Sequence, residues 1–214
     1  MKNRIINIVL TFLSGKPILF FFYQLFYEES RLKGLRKDKI QSVYDRYTKA
    51  NNLGTISVDL GSGIEPSNPF GANQFSGIDV FNNDENKVIE CRLGFEPLPF
   101  ADNSIDYLTA NDLLEHIPRY SDMADIGRNP FIYLMNECYR VLRKDGIFAS
   151  VTPIYPYFGA FQDPTHNNIM TSNTFTLYFS DNKIMHASSY GINTSFKIRY
   201  QRISGQHLIA FLQK

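Results

Sequence analysis

The sequence has no tryptophan, only two cysteines and almost no excess of charge of either sign. Its 22 basic residues oppose 21 acidic ones, so no overall positive field favours nucleic acid, and we expect no nucleic-acid partner. Cys91 and Cys138 stand far apart and lack metal-type spacing, which predicts two buried thiols in a reducing compartment, hence a cytoplasmic location. At 214 residues the chain is long enough for one domain with a full core.

The longest apolar stretch, residues 5–27, is interrupted at its centre by Lys16 and Pro17. Charge is expensive within a bilayer and proline kinks a helix, so we do not expect this stretch to span a membrane. No small-x-small cleavage site follows it, which argues against an export signal. We predict an apolar and basic helical extension over residues 1–39 and a globular domain over residues 40–214.

This extension has three open interpretations: a lid, a dimer-forming helix pair, or a peripheral contact with the inner face of the membrane through residues 5–39. The basic cluster Arg31–Lys39 would add attraction to anionic lipid in the third case. The oligomeric state is left open.

Residues 56–80 predict a nucleoside-binding half-site. A buried strand leads to Asp59 and the turn Gly61-Ser62-Gly63, where small residues let the backbone turn sharply and approach a ligand. A second short strand then ends on Asp79, sixteen residues past Gly63. An acid at such a strand tip accepts hydrogen bonds from both ribose hydroxyls of a nucleoside.

The turn lacks the third glycine of the dinucleotide-binding motif G-x-G-x-x-G. Pro66 stands in its place and Glu65 just before it, where a negative charge would repel a pyrophosphate. S-adenosylmethionine, which carries a sulfonium and an amino-acid end but no phosphate, fits better. A dinucleotide, or a glycine turn in some other α/β domain, remains an alternative at this point.

Four ordered motifs within residues 54–155 carry a resemblance to a known family: VDLGSG, GIDV, EPLPFADNSIDYLTANDLLEHIPR and LMNECYRVLRKDGIFASVTP. Together they resemble the class I S-adenosylmethionine-dependent methyltransferases of the type 11 branch. The later segment AFQDPTHNNIMTSNTF is similar to tails of members linked to sugar and polysaccharide modification.

The resemblance implies an α/β fold: a Rossmann-like, seven-stranded, mostly parallel sheet with helices on both faces and an antiparallel final strand. It implies S-adenosylmethionine as cofactor, and residues 40–214 as the methyltransferase domain. The implied cofactor-binding residues are Asp59, Gly61, Ser62, Gly63, Asp79, Leu98 and Asn111.

Two features depart from the family pattern. The segment EPSNPFGANQ after the turn holds two prolines and a glycine, so the helix that the family has there is expected to be short or absent. An acid that commonly contacts the adenine amine aligns with Arg92, which cannot accept a hydrogen bond. Adenine recognition would then fall to backbone groups, to Leu93 or to Glu96.

The segment after Pro153 predicts an acceptor-binding loop, because it mixes aromatic, proline and polar residues. Its candidate substrate-binding residues are Tyr155, Phe161, Asp163 and His166. We expect O-methylation of a small-molecule or glycan hydroxyl, with a base chosen in the order His166, His116, Asp112. If the turn after the fourth strand continues as a helix, Asp112 and His116 share one face.

We predict no metal site, since Asp163 and His166 supply only two plausible ligands. Two rival functions stay open. One is a non-catalytic member that binds the cofactor or a partner, and the other is a nicotinamide-dependent oxidoreductase on the same strand-turn-strand plan.

Overall fold

A computed structural model describes residues 37–120 and 129–214 of the chain. Within these ranges seven strands form one sheet in the order β3-β2-β1-β4-β5-β7-β6. The strands are β1 Ile56–Leu60, β2 Gln74–Asp79, β3 Val88–Glu90, β4 Ile105–Asn111, β5 Leu142–Pro153, β6 Lys197–Ser204 and β7 His207–Gln213. The first five run parallel, and β7 pairs antiparallel with both β5 and β6. The predicted Rossmann-like architecture with an antiparallel final strand is confirmed.

In the part of the chain that the structure describes, two α-helices cover opposite faces of the sheet. Helix α1, Lys37–Tyr47, packs Val43 and Tyr44 against an aromatic cluster built on Phe70, Tyr107 and Phe211. Helix α2, Pro130–Val141, contributes its apolar side to the larger core on the other face. Asn129 caps α2 by accepting a hydrogen bond from the Ile132 amide at 3.0 Å, as expected for an N-cap asparagine.

Short helical turns follow β5 in the chain. They are the 3₁₀ turns Phe158–Ala160 and Ala187–Tyr190 and the π-helical turn Phe175–Phe179. None of the helices in the described ranges is long and apolar enough to cross a bilayer. The predicted extension lies almost entirely in residues 1–36, outside the described ranges, so the expectations about it stay predictions.

In the sequence, Arg143 and Lys144 suit the last turn of a helix and Gly146 its end, so the pattern alone predicts a longer helix than the one that forms. The helix ends at Val141, and β5 begins at Leu142. Arg143 is drawn to the sheet because its guanidinium contacts the buried carboxylate of Asp106 at 2.7 Å. This long-range ion pair outweighs the local helix signal.

The chain after the first strand has the predicted irregularity. Residues 61–73, all within the described part of the chain, form no helix. The amino-terminal helix end that would hold a pyrophosphate in a dinucleotide-binding fold is therefore missing from this segment.

Candidate active site

A cleft of about 380 Å³ opens at the carboxyl ends of β1, β2 and β4. Open α/β sheets bind ligands at this edge, because the strand order changes direction there and leaves a crevice. The cleft is lined by Gly61, Asp79, Val80, Cys91, Arg92, Leu93, Phe95, Asp112, Leu113, His116, Ile117 and Pro118.

The glycine turn forms the floor of this cleft. The amides of Gly61 and Ser62 donate to the Ile78 carbonyl at 2.8 and 3.2 Å, which fastens the turn to β2. Gly61 has φ +65°, and a Cβ there would lie 2.7 Å from Leu113 Cδ1. Gly63 has φ +61°, but no described atom lies within 4 Å of a Cβ built on it. The first glycine is thus required by packing, and the second faces open space.

Asp79 lies at the tip of β2, as predicted. One carboxylate oxygen accepts a hydrogen bond from the Gly63 amide at 2.8 Å, and the other accepts from the Val80 amide at 2.7 Å. Each oxygen retains a second lone pair for a ligand. The turn and the acid therefore form one rigid unit at the edge of the cleft.

Asp59 supports the site from behind. It is buried, and its carboxylate accepts hydrogen bonds from the Thr109 hydroxyl and the Ser67 amide. Burial raises the pKa of Asp59 above its ordinary value, and these two hydrogen bonds partly oppose the rise. Asp59 therefore links β1 to β4 and to the loop that follows β1. The direct cofactor contact predicted for Asp59 stays a prediction.

Leu98 and Asn111 were also predicted to bind the cofactor. Leu98 belongs to the core, and its amide donates to Glu137 at 2.8 Å. Asn111 is exposed at the end of β4, next to Asp112. Neither side chain is among the described residues that line the cleft.

One end of the cleft is apolar and carries Arg92. Leu93 and Phe95 line it beside the exposed Val80. The Arg92 guanidinium lies 5.2 Å from the centre of the Phe95 ring, and Glu96 accepts a hydrogen bond from the Arg92 amide at 2.9 Å. Sequence reasoning missed Phe95, although an aromatic residue in the loop that follows β3 was a signal that the sequence offered.

Asp112 marks the other end of the cleft. Its amide donates to the Val151 carbonyl at 2.8 Å, and its φ is +46°. The chain therefore stays bonded to β5 and does not enter a helix, contrary to the arrangement expected for Asp112 and His116. Both side chains nevertheless line the cleft.

His207 is a site residue that sequence reasoning missed. Its Nε2 lies 3.1 Å from the Asp112 carboxylate, and this hydrogen bond raises the pKa of His207 above its ordinary value, against the effect of burial. The pairing of Pro153 with His207 across β5 and β7 brings the two residues together. The predicted antiparallel final strand was the only sequence signal for this contact.

His116 and His166 meet beside the cleft. Their rings are 4.8 Å apart and nearly perpendicular. His116 Nδ1 lies 3.0 Å from the Thr165 hydroxyl, which in turn donates to Asp163 at 2.7 Å. These Thr165 hydrogen bonds hold the pKa of Asp163 below its ordinary value. His166 lies behind His116 with only 9% of its side chain exposed.

Glu115 joins this pair from the adjacent position in the chain. It is 1% exposed, and one carboxylate oxygen accepts a hydrogen bond from the Thr152 hydroxyl at 2.8 Å. Burial raises the pKa of Glu115 above its ordinary value, with that hydrogen bond opposing. The Glu115 carbonyl accepts the amides of Asn167 and Asn168 at 2.8 and 2.9 Å, which fastens the acceptor loop to the cleft wall.

The aromatic residues predicted for substrate binding lie on the same loop. Tyr155 and Phe161 are both more than half exposed, and their ring centres are 6.2 Å apart in an edge-to-face arrangement. They form an exposed aromatic surface after the carboxyl end of β5. The same loop continues to Asp163 and His166, so the structure brings all four predicted substrate residues onto one segment.

The strand order and the antiparallel β7 define the class of protein: this is the Rossmann-like methyltransferase fold. In sequence, the family described as "Methyltransferase domain" (Methyltransf_11) matches residues 78–150. The match covers Asp79, the apolar end of the cleft, and the segment from Asp112 to His116. None of the curated proteins matches this chain in sequence.

Solved structures share the fold at low sequence identity. A geranyl diphosphate C-methyltransferase from Streptomyces coelicolor A3(2) is 11% identical, with 87% of this chain and 84% of that chain covered and a TM-score of 0.52. A SAM-dependent methyltransferase from Archaeoglobus fulgidus is 14% identical, with coverage of 90% and 100% and a TM-score of 0.50. The cyclase SpnF is 15% identical, with coverage of 83% and 80% and a TM-score of 0.51. Since a cyclase is among them, the fold alone does not fix the reaction.

Proposed function

We propose that this protein is an S-adenosylmethionine-dependent methyltransferase that methylates a hydroxyl of a small molecule or glycan. The observation that carries this proposal is the Asp79 carboxylate held by the Gly63 amide beside an open, glycine-floored cleft. The family match over residues 78–150 supports it independently.

The residues of the cleft fit this cofactor. Asp79 is positioned to accept ribose hydroxyls, and Val80, Leu93 and Phe95 offer an apolar surface for adenine. The opposite end carries the Asp112 carboxylate, which favours a cationic group and repels phosphate. When bound, the cofactor supplies a methyl group on a sulfonium sulfur.

The same features disfavour a dinucleotide. A pyrophosphate is held by a helix N-terminus, and residues 61–73 in the described chain contain no helix. The oxidoreductase interpretation is therefore not favoured. A non-catalytic role is not favoured either, because the cleft, its acid and the neighbouring titratable groups are all in place.

The chain's own contribution to transfer is to place the acceptor and take its proton. Holding the acceptor oxygen in line with the transferred methyl group accounts for much of the rate enhancement in a displacement of this kind. Asp112 lines the cleft, and its hydrogen bond makes His207 a stronger base, so this pair is the proton acceptor that the geometry supports best. His116 and His166 stay predictions for that role.

The exposed rings of Tyr155 and Phe161 suit an acceptor with an apolar or sugar face. A sugar hydroxyl rests on the resemblance of the acceptor loop alone. The cytoplasmic location and the peripheral membrane contact through residues 5–39 are proposals on sequence grounds.

Calorimetry with S-adenosylmethionine, S-adenosylhomocysteine and NAD tests cofactor choice. We expect binding heat for the first two and none for NAD, and the reverse pattern would favour the oxidoreductase. Incubation with a radiolabelled methyl donor and fractionated glycans, lipids and metabolites then identifies the acceptor class. Absence of label in every fraction, despite cofactor binding, would favour the non-catalytic alternative.

A matched pair of variants tests the base. Asp112→Asn should lower turnover by at least about tenfold, since a positioned base contributes typically 10²–10⁴-fold. Asp181→Asn, at an exposed position in the turn after the π-helical segment, should leave it unchanged. In the unaltered enzyme the rate should rise with pH through a value above 6.5, the ordinary pKa of histidine, because neutral His207 accepts the proton. A flat pH profile would remove His207 from the mechanism.

A further inference from the structure

We propose that Glu115, His116 and His166 form a binding site for one divalent transition-metal ion at the edge of the cofactor cleft. One ligand atom from each residue lies within 4.8 Å of the others. Such a set of two imidazoles and one carboxylate leaves coordination positions open for water or substrate.

The hydrogen bonds around the three residues leave one unshared acceptor on each. The Thr165 hydroxyl gives its proton to Asp163, so it can only accept from His116 Nδ1. In its neutral form His116 then carries its proton on Nδ1, and its Nε2 presents a lone pair. This chain of contacts is the kind of outer support that fixes the orientation of a metal-binding histidine.

Glu115 and His166 carry buried polar atoms that no described residue satisfies. One Glu115 oxygen accepts from Thr152, whereas the other is buried without a partner. His166 Nδ1 is likewise buried without a partner, while its Nε2 is 3.9 Å from Asp163. Leaving such groups unpaired is costly, and a cation bound by both residues would satisfy both.

The required movement is small. Atoms within 4.8 Å of one another lie within about 2.8 Å of a common point, so shifts of less than about 1 Å reach the ~2.0–2.2 Å bonds of zinc. The two imidazoles favour zinc, iron, cobalt or nickel over magnesium or calcium, which prefer oxygen ligands. The expectation of no metal site considered only Asp163 and His166 as ligands. The fold places Glu115 and His116 beside His166, which makes three candidate ligands.

The position gives the ion a use, which rests on the proposed function. His116 lines the cofactor cleft, so an acceptor oxygen could occupy an open coordination position there. A metal ion lowers the pKa of a bound hydroxyl and so prepares it for transfer.

Titration of the chelator-stripped, full-length protein with Zn²⁺ tests the proposal, without methyl donor or acceptor. We expect about one ion per chain, and Co²⁺ absorption bands typical of nitrogen and oxygen ligands. Glu115→Gln, His116→Asn and His166→Asn should each weaken binding by at least about tenfold. The control His186→Asn, an exposed histidine outside the cluster, should bind as the unaltered protein does.

Thr165→Val provides a variant at an exposed position that should fold normally. It removes the support of His116 and should weaken Zn²⁺ binding by roughly tenfold. No saturable binding by the unaltered protein, or equal loss in His186→Asn, would overturn the proposal. Calorimetry with S-adenosylmethionine on the same samples separates the two proposals. Cofactor binding without Zn²⁺ binding refutes only the metal site. Zn²⁺ binding without cofactor binding refutes only the proposed function.

Discussion

Strand β4 has a buried carboxylate near each end, and the two are treated differently. At the amino end, Asp106 accepts from Lys49 at 2.5 Å, Arg143 at 2.7 Å and the Ile56 amide at 2.9 Å. Beyond the carboxyl end, Glu115 has one oxygen bound to Thr152 and the other without a described partner. Both side chains are about 1% exposed or less.

The difference separates stability from function. Both Asp106 oxygens have partners, so the carboxylate fastens β1, β5 and the segment that follows α1 to β4. Glu115 keeps an unsatisfied oxygen beside a cleft, which lowers stability but leaves a group available for chemistry.

The largest effect is expected from matched isosteric changes at the two ends. Asp106→Asn should lower the free energy of unfolding by roughly 2–4 kcal/mol, because an amide cannot accept from two cations and a backbone amide. Glu115→Gln should change it by less than about 1 kcal/mol, since it removes a buried charge without a cation partner. Denaturant unfolding measures both, and equal losses would break the comparison.

The acid that faces the cleft should affect cofactor binding as well as the glycine turn that it holds. Asp79→Ala should weaken binding of S-adenosylmethionine by roughly 1.5–3 kcal/mol, or about ten- to a hundredfold, through lost charge-assisted hydrogen bonds. Glu85→Ala, an exposed acid in the loop before β3, is the control. Calorimetry decides, and unchanged affinity in Asp79→Ala would leave the nucleoside assignment without support.

Substitutions at the two glycines of the turn should also separate stability from binding, with Gly61 affecting stability more and Gly63 affecting cofactor binding. Gly61→Ala combines a positive φ with a contact to Leu113 and should cost roughly 2 kcal/mol of unfolding free energy. Gly63→Ala meets only the strain of its positive φ, about 1 kcal/mol, but it alters the residue whose amide holds Asp79 and should weaken cofactor binding. Thermal unfolding and calorimetry on both variants test this order, which a larger stability loss in Gly63→Ala would contradict.

The smallest effect concerns the Asp112–His207 pair. The pKa of His207 is raised in the folded state. The ion pair therefore adds its full contribution to the free energy of unfolding below the pKa of the unfolded chain, and this contribution disappears as the pH rises through the pKa of the folded protein. His207→Gln should therefore cost up to about 1 kcal/mol near pH 6 and almost nothing near pH 9. Unfolding curves at both pH values provide the measurement. A cost that grew with pH would have the wrong sign for this ion pair.

Much of the fold could be predicted because its signals are local. The sheet has its antiparallel last strand, and the segment after the glycine turn has no helix. Asp79 and Gly61 lie at the cleft as expected. The family match over residues 78–150 agrees with the predicted methyl donor.

The acceptor side was harder to predict because its contacts join distant parts of the chain. On the cofactor side, the predicted contact of Leu98 stays a prediction, and the Leu98 side chain lies in the core. His207 was missed because ninety-five residues separate it from Asp112. The burial of His166 behind His116 follows from how residues 163–168 fold onto Glu115.

The sequence by itself determined the strands, the glycine turn and the acid at its edge, because periodicity, backbone freedom and strand-tip position act over a few residues. Only the tertiary structure decided which polar groups are satisfied. Asp106 forms ion pairs with Lys49 and Arg143, whereas Glu115 and His166 each keep a buried polar atom without a described partner. Whether a buried polar atom has a partner depends on residues brought together by the fold, and no local pattern records that.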